Sequence, residues 1–372
     1  MGESIAIELR PGRELSQAKN RIIDKAFFNS STTKKRPGEI EMSATVQATI
    51  PDLRTELINW RQRLEDTANR SSDGLQLTGL LREVQSAIDR LARADSYGVC
   101  QVCHDLIGQA ALNADPLART CLSCFTPEQL AELEQDLDRA WLIQGELLPK
   151  RNLKLNGWEV SYHYQPAGAV SGDYCDLVSS ETGDLYFLIG DVSGKGVAAS
   201  LLMSRLHAIV RSLITTTPNP RELVERANGL FAETTMRPYY ATLVCGKAGL
   251  NGAVEICNAG HCAPLVISDG KTSAISATGL PLGMFCPAEY SSVKMQLSPG
   301  DRLLLYTDGL SEARNQQDVE YGNDRLQSIL TESCRLPAER LVARLLEDVQ
   351  AFAARLPMSD DLTVMAIEVV GH

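Results

Sequence analysis

No run of 18 apolar residues occurs in this chain of 372, so no membrane-crossing segment is expected. Basic charge is in short supply. Lys and Arg number 36 against 47 Asp and Glu, a formal net charge of −11. Nucleic-acid binders need clustered cations to neutralise phosphates, and this balance argues against broad affinity of that kind. Much of the acidity falls on helical segments and is read as solvated surface. The opening residues, Met1-Gly-Glu-Ser-Ile-Ala-Ile-Glu-Leu-Arg-Pro11, carry acids where a secretory leader needs a basic and then an apolar stretch, so a cytoplasmic chain is expected. Two common catalytic signatures are also missing. Gly309-Leu-Ser-Glu-Ala lacks the last glycine of a nucleophile elbow. Gly194-Lys-Gly196 lacks the glycine spacing and the Ser or Thr of a phosphate-binding loop.

What is present is enough for two or three domains, with 44% hydrophobic residues to fill their cores. The most informative stretch is an apolar run, Leu185 to Ile189, that delivers Asp191 into a turn rich in glycine (Gly190, Gly194, Gly196). Such a run reads as a buried strand, and a carboxylate at its end is well placed to hold a hard cation. The arrangement recurs. Asp301-Arg-Leu-Leu-Leu-Tyr-Thr-Asp308-Gly309 ends a strand in Asp308, and Asp360-Asp361-Leu-Thr-Val-Met-Ala-Ile begins one. Upstream, Ser171-Gly-Asp-Tyr-Cys-Asp176 presents Asp173 and Asp176. Carboxylates gathered at strand ends raise one another's pKa values unless cations neutralise them, which points to a two-metal site.

In these motifs the chain resembles the metal-dependent protein phosphatases, in the bacterial branch related to SpoIIE and RsbU. The matching residues are Ser171-Gly-Asp173-Tyr-Cys-Asp176, Gly190-Asp191-Val-Ser-Gly-Lys-Gly196, Asn258-Ala-Gly-His261, Gly279-Leu-Pro-Leu-Gly283, Thr307-Asp308-Gly309 and Asp360-Asp361-Leu-Thr363. The resemblance covers roughly residues 152 to 370. Ser171 stands where glycine is usual, and Cys262 follows His261 where the pattern would run straight to proline. The resemblance implies an α+β fold, an αββα sandwich with two Mn²⁺ or Mg²⁺ ions at one end. By matched position, Asp191 would bridge the ions with help from the Val192 backbone carbonyl. Asp173 would serve one ion, and Asp308 and Asp360 the other. Asp176, Asp361 and His261 are accessory candidates; the first two could equally cap a turn, and His261 could be structural. The implied activity is hydrolysis of phosphoserine or phosphothreonine on a protein, typically a small antagonist of an anti-sigma factor, in stress response and sigma-factor regulation.

Ten cysteines in a cytoplasmic chain favour metal binding over disulfides. Cys100-Gln-Val-Cys103 and Cys121-Leu-Ser-Cys124 have the spacing of a four-thiolate zinc site, structural because no coordination position stays open. Cys100-Gln-Val-Cys103-His104 also matches a covalent haem attachment motif, which leaves Cys121 and Cys124 without a role. The remaining six cysteines (Cys175, Cys245, Cys257, Cys262, Cys286 and Cys334) read as small buried residues.

Residues 97–125 are similar to the TraR/DksA zinc finger. Before them, Leu53, Leu57, Trp60 and Leu64, then Leu77, Leu81, Val84, Ile88 and Leu91, have helical spacing broken at 69–74. A helical hairpin over 51–96 is expected. In that family such a hairpin can enter RNA polymerase with acids at its tip, and here the tip offers Asp73. A polymerase-binding transcription regulator is therefore the alternative reading, beside a simple helical and zinc scaffold. Thr126-Pro-Glu-Gln129 carries a capping box for a linker helix over 126–150, with Leu130, Leu133, Leu137, Ala140 and Leu147 on one seam. A homodimer through that helix is expected. By the resemblance, residues 151–372 are expected to form the phosphatase domain, and 1–50 are weakly patterned, with a break at Ser30-Ser-Thr-Thr-Lys-Lys-Arg-Pro-Gly38 and an alternative start conceivable at Met42.

Overall fold

The computed structural model describes residues 54, 57–62, 64–65, 74–92, 97–108, 112, 116–217, 219–235, 239–354, 356 and 358–370. The expectations for residues 1–50, Met42, Leu53 and the hairpin tip at Asp73 lie outside them. The described residues form two compact units that divide inside one helix, between Gln135 and Asp136.

In the first unit, residues 57–62 and 64–65 are helical and precede helix α1 (Gly74–Ala92). The helical spacing puts Leu57 in a core with Val84, Ala87, Ile88 and Leu91, and Trp60 and Leu64 pack against it. Arg61 crosses to the Gln85 side chain at 2.7 Å. The same core takes in Tyr97, Cys100 and Ile107 from the cysteine-rich segment, which the Arg119–Ser86 hydrogen bond (2.8 Å) also ties to α1. The cysteines thus sit on the helices rather than on a core of their own.

Helix α2 (Pro127–Gly145) starts as the sequence dictates. Thr126 Oγ1 accepts the Gln129 N–H, and Gln129 Oε1 accepts the Thr126 N–H, a reciprocal capping box. The helix ends before Leu147, so the expected seam outlasts it by two residues. Leu133, Trp141, Leu142 and Ile143 are exposed.

The second unit is a four-layer sandwich. Strands β1 (Leu153–Leu155), β2 (Trp158–Gln165), β7 (Leu265–Ser268), β8 (Lys271–Ala274), β10 (Arg302–Tyr306) and β11 (Leu362–Val369) make one antiparallel sheet, in the order β1-β2-β11-β10-β7-β8. Strands β3 (Asp173–Ser179), β4 (Leu185–Val192), β5 (Ala241–Ala248), β6 (Ala253–Ala259) and β9 (Val293–Gln296) make the other, in that order. Between the sheets lie Phe187, Ile189, Val244, Leu303, Leu305, Met365 and Ile367. Alternation along each strand sends the other side chains outward. Tyr186, Leu188 and Leu243 meet helices α3 (Gly196–Ile214) and α4 (Pro220–Thr234). On the far side, Leu304, Val364 and Ala366 meet α5 (Asn323–Glu332) and α6 (Ala338–Phe352). This is the expected αββα architecture.

Helix α3 is long and apolar enough to cross a membrane by length and composition, although Arg205, His207 and Arg211 keep its sequence from forming an unbroken apolar run. Its composition follows from packing, since Ala199, Met203, Leu206, Val210 and Leu213 all enter the core against the second sheet. The expectation for the six further cysteines changes: Cys175, Cys245 and Cys257 are buried, but Cys262 and Cys334 are half-buried and Cys286 is exposed.

Candidate active site

The sheet register sets the site. Asp173, the first residue of β3, pairs directly with Asp191 on β4, and Asp191 pairs with Thr242 on β5. All three stand on the face toward the opposite sheet, at one end of the sandwich. There the chain leaves β10 through Thr307 into the helical turn Asp308–Ser311, and enters β11 from Asp360 and Asp361. The two strands are neighbours, so their ends arrive together. Gly309 makes the approach close: a Cβ there would lie 1.9 Å from the Asp361 carbonyl oxygen.

Asp173 is buried, and its Oδ2 accepts hydrogen bonds from the Thr363 and Thr307 hydroxyls at 2.5 and 3.0 Å. Burial, then the nearby Asp361 and Asp191, hold its carboxyl well above the usual carboxylate range in spite of those two bonds. Burial and the neighbouring Asp308, Asp360 and Asp361 push the Asp191 carboxyl up to about 8, with partial relief from Lys195. Asp308 is raised by burial and then by Asp360 and Glu312. Asp361 is raised by burial, although its Oδ1 and Oδ2 accept the Ala167 and Gly172 N–H groups at 2.7 and 2.8 Å. Lys195 reaches Asp360 Oδ2 at 2.7 Å and the Ser359 carbonyl at 2.9 Å.

Five carboxylates therefore share one corner with one lysine, and they fit hard divalent cations. Gly172 adds a second sign of fit. A Cβ at Gly172 would stand 3.0 Å from the Val192 carbonyl oxygen and 3.3 Å from Asp191 Oδ1, so glycine leaves that pair of oxygens uncrowded.

Asp176 is elsewhere. Three residues beyond Asp173 on the same strand, it points to the opposite face of the sheet. It is buried under α3, where Arg211 Nε and Nη2 each donate to it at 2.7 Å, Tyr174 Oη donates at 3.2 Å, and His207 Nε2 stands 3.7 Å away. The expectation that it could assist the metals is corrected by strand alternation: Asp176 fastens α3 to the sheet.

His261 lies in the turn Asn258-Ala-Gly-His261, closed by Asn258 Oδ1 accepting the His261 N–H at 2.8 Å. Its Nδ1 is 2.8 Å from the Thr242 hydroxyl, which stands 3.3 Å from the Asp191 carbonyl oxygen. Burial brings its pKa down to about 4, so it is neutral at neutral pH and holds no acidic proton to deliver as an imidazolium. Thr242 and Gln144, which also bear on the site, carry no signal of that role in the sequence. Thr307, directly before Asp308, and Thr363, two residues after Asp361, lie within the motifs, and those places are the signal that could have found them.

In the first unit, the sulfurs of Cys100, Cys103, Cys121 and Cys124 lie within 4.8 Å of one another, the one such His, Cys, Asp or Glu group of three or more among the described residues. The Cys103–Cys121 sulfurs are 3.7 Å apart, close to the edge of about 3.8 Å that a tetrahedron with 2.3 Å metal–sulfur bonds requires. The Cys103 backbone N–H, and then those of Cys121 (3.3 Å) and Val102 (3.4 Å), favour the Cys100 thiolate against the effect of burial, and its pKa falls to about 6. The cluster uses all four cysteines, which the haem motif does not.

A sandwich of two antiparallel sheets with carboxylates converging at one end is the architecture of the metal-dependent PP2C-type phosphatase domains. Residues 181–370 match the family model of stage II sporulation protein E (SpoIIE), just over half of the chain, and the chain belongs to that family. Protein IcfG of Synechocystis sp. is 26% identical over 261 residues, 62% of this chain and 41% of its own length. Phosphoserine phosphatase RsbU of Bacillus subtilis is 23% identical over 239 residues, 63% of this chain and 70% of its own length. The chain thus spans less than half of IcfG and about two thirds of RsbU. Among solved structures, the SiaA-PP2C domain of Pseudomonas aeruginosa superposes with a TM-score of 0.57 at 19% identity, over 64% of this chain and 96% of that domain. The RsbU and RsbW domains of Rv1364c from Mycobacterium tuberculosis superpose with a TM-score of 0.52 at 26% identity, over 58% of this chain and 62% of that one.

Proposed function

We propose that this chain is a metal-dependent protein phosphatase acting on phosphoserine or phosphothreonine in a regulatory protein. The observation that carries the reading is the corner where Asp173, Asp191, Asp308, Asp360 and Asp361 meet, in which burial and neighbouring carboxylates raise the pKa values of Asp173, Asp191, Asp308 and Asp361, a cost that bound cations would relieve. Asp173, Asp191, the Val192 carbonyl, Asp308 and Asp360 would hold two Mn²⁺ or Mg²⁺ ions. When bound, the ions supply an activated water and neutralise the phosphate oxygens. The protein's own groups do the positioning. The Thr307 and Thr363 hydroxyls hold Asp173 from the neighbouring sheet, and two backbone N–H groups hold Asp361 against the loop before β3. Lys195, ion-paired to Asp360 and largely exposed, is the cation at the rim that would meet an incoming phosphate.

RsbU carries the name phosphoserine phosphatase, which supports this substrate class. By the resemblance, the substrate is a small antagonist of an anti-sigma factor, met in the cytoplasm. The thiol cluster would hold one structural Zn²⁺, within a module of the TraR/DksA type over 97–125 behind a hairpin at 51–96, and 151–372 would be the catalytic domain. The exposed Leu133, Trp141, Leu142 and Ile143 support a homodimer through the linker helix at 126–150. A polymerase-binding role depends on the tip at Asp73, and nothing in the described residues favours it.

The substrate class is tested by phosphate release from a protein carrying phosphoserine and from the same protein carrying phosphotyrosine, each with Mn²⁺. Release from the first alone is expected. Equal release from both would contradict the assignment.

A further inference from the structure

The segment that carries Asp173 is fastened from outside the sheets. Gln144, one residue before the end of α2, is buried, at 4% exposure, although Trp141, Leu142 and Ile143 just before it are exposed. Its amide is spent on a single residue. Nε2 donates to the Ser171 carbonyl at 2.7 Å, and Oε1 accepts the Ser171 N–H at 2.9 Å. The side chain imitates the paired bonds of a neighbouring strand where the sheet provides none.

The two residues after Ser171 are fixed in turn. Ser171 Oγ accepts the Asp173 N–H at 3.1 Å. The Gly172 N–H donates to Asp361 Oδ2 at 2.8 Å, and the Gly172 carbonyl accepts the Val192 N–H at 3.2 Å. Three consecutive residues are thus held by Gln144, by Asp361 with Val192, and by Ser171, and the chain of bonds ends on the carboxylates and the carbonyl of the site.

We propose that Gln144 is a positioning residue of the metal site, setting Ser171 so that Gly172 and Asp173 hold their places beside Asp361, Asp191 and the Val192 carbonyl. The proposal rests on the metal-dependent reading above. Removing the amide leaves a buried N–H and C=O of Ser171 without partners, and the segment must move to find new ones. A carboxylate cannot substitute, because the Ser171 carbonyl needs a donor and Glu offers only acceptors when ionised.

The test compares the full chain with Gln144→Ala and Gln144→Glu. Mn²⁺ binding is measured by titration calorimetry, phosphate release is followed against Mn²⁺ and against phosphoprotein, and unfolding is measured in EDTA. Both variants should bind Mn²⁺ at least tenfold more weakly and need correspondingly more of it for half-maximal activity, with KM for the phosphoprotein within twofold of wild type. A purely structural role would lower the melting temperature and leave Mn²⁺ affinity unchanged, and that result overturns the proposal. Should Gln144→Ala fail to fold, the isosteric Gln144→Glu decides by the same titration, and collapse of both assigns Gln144 to stability and also overturns it. A wild-type chain that neither binds Mn²⁺ nor releases phosphate would instead sink the phosphatase reading itself.

Discussion

Gly309→Ala adds one methyl group at the point where the Asp308 turn and the Asp360–Asp361 segment touch. The new Cβ would sit 1.9 Å from the Asp361 carbonyl oxygen and 2.9 Å from its carbon, about 1.5 Å inside ordinary contact. Both neighbours are backbone, so no side chain can swing away, and one segment must move by more than about 1 Å. A displacement of that size costs roughly a hundredfold in rate when it separates groups that act together. Overpacking adds about 1–3 kcal/mol of destabilisation. The control is Gly229→Ala, inside α4 with no atom within 4 Å of the added Cβ, where the gain in helix propensity is up to about 1 kcal/mol. The assay is Mn²⁺-dependent phosphate release with thermal unfolding on the same samples. Gly309→Ala should lose about a hundredfold in kcat while still folding, and Gly229→Ala should keep its activity and melt no lower. Activity within twofold of wild type in Gly309→Ala would refute the claim that the two segments meet to build the site.

Arg211→Ala leaves Asp176 buried without its cation, and should cost about 3 kcal/mol in denaturant melts, with Mn²⁺ activation of the folded fraction little changed because Asp176 faces away from the site. In EDTA the raised Asp191 pKa makes the folded chain bind a proton that the unfolded chain releases. The metal-free protein should therefore lose stability as pH rises from about 4 to about 8, Asp191 alone contributing up to about 1.4 kcal/mol per unit and the raised Asp173, Asp308 and Asp361 adding in the same direction; saturating Mn²⁺ should flatten that slope, which melts at several pH values will read. Metal analysis should find one zinc per chain, and Cys121→Ser should abolish it and lower helicity, since Cys121 packs on the core of α1.

The sequence was most readable where a residue's role follows from its neighbours in the chain. Asp191 ends an unbroken apolar strand, Thr126 and Gln129 cap at fixed spacing, and two Cys-x-x-Cys knuckles converge, so β4, α2 and the thiol cluster could all be anticipated. Asp176 failed for a reason also local but overlooked: an odd separation from Asp173 along a strand puts the two on opposite faces. Gln144 and Thr242 could not be read, because their partners, Ser171 and His261, are brought to them only by tertiary packing. Helix α3 has no unbroken apolar run, because Arg205, His207 and Arg211 interrupt it, yet the face that the sheet covers is apolar.

The central claim is that the converging aspartates hold the metals that drive phosphate release. Its most direct test is Mn²⁺-dependent release of phosphate from a phosphoserine protein by the full chain and by Asp191→Asn, with EDTA as control. The account predicts activity that requires Mn²⁺, disappears in EDTA and falls by at least a hundredfold in a folded Asp191→Asn variant. Activity that survives EDTA, or an Asp191→Asn variant as active as wild type, would contradict it.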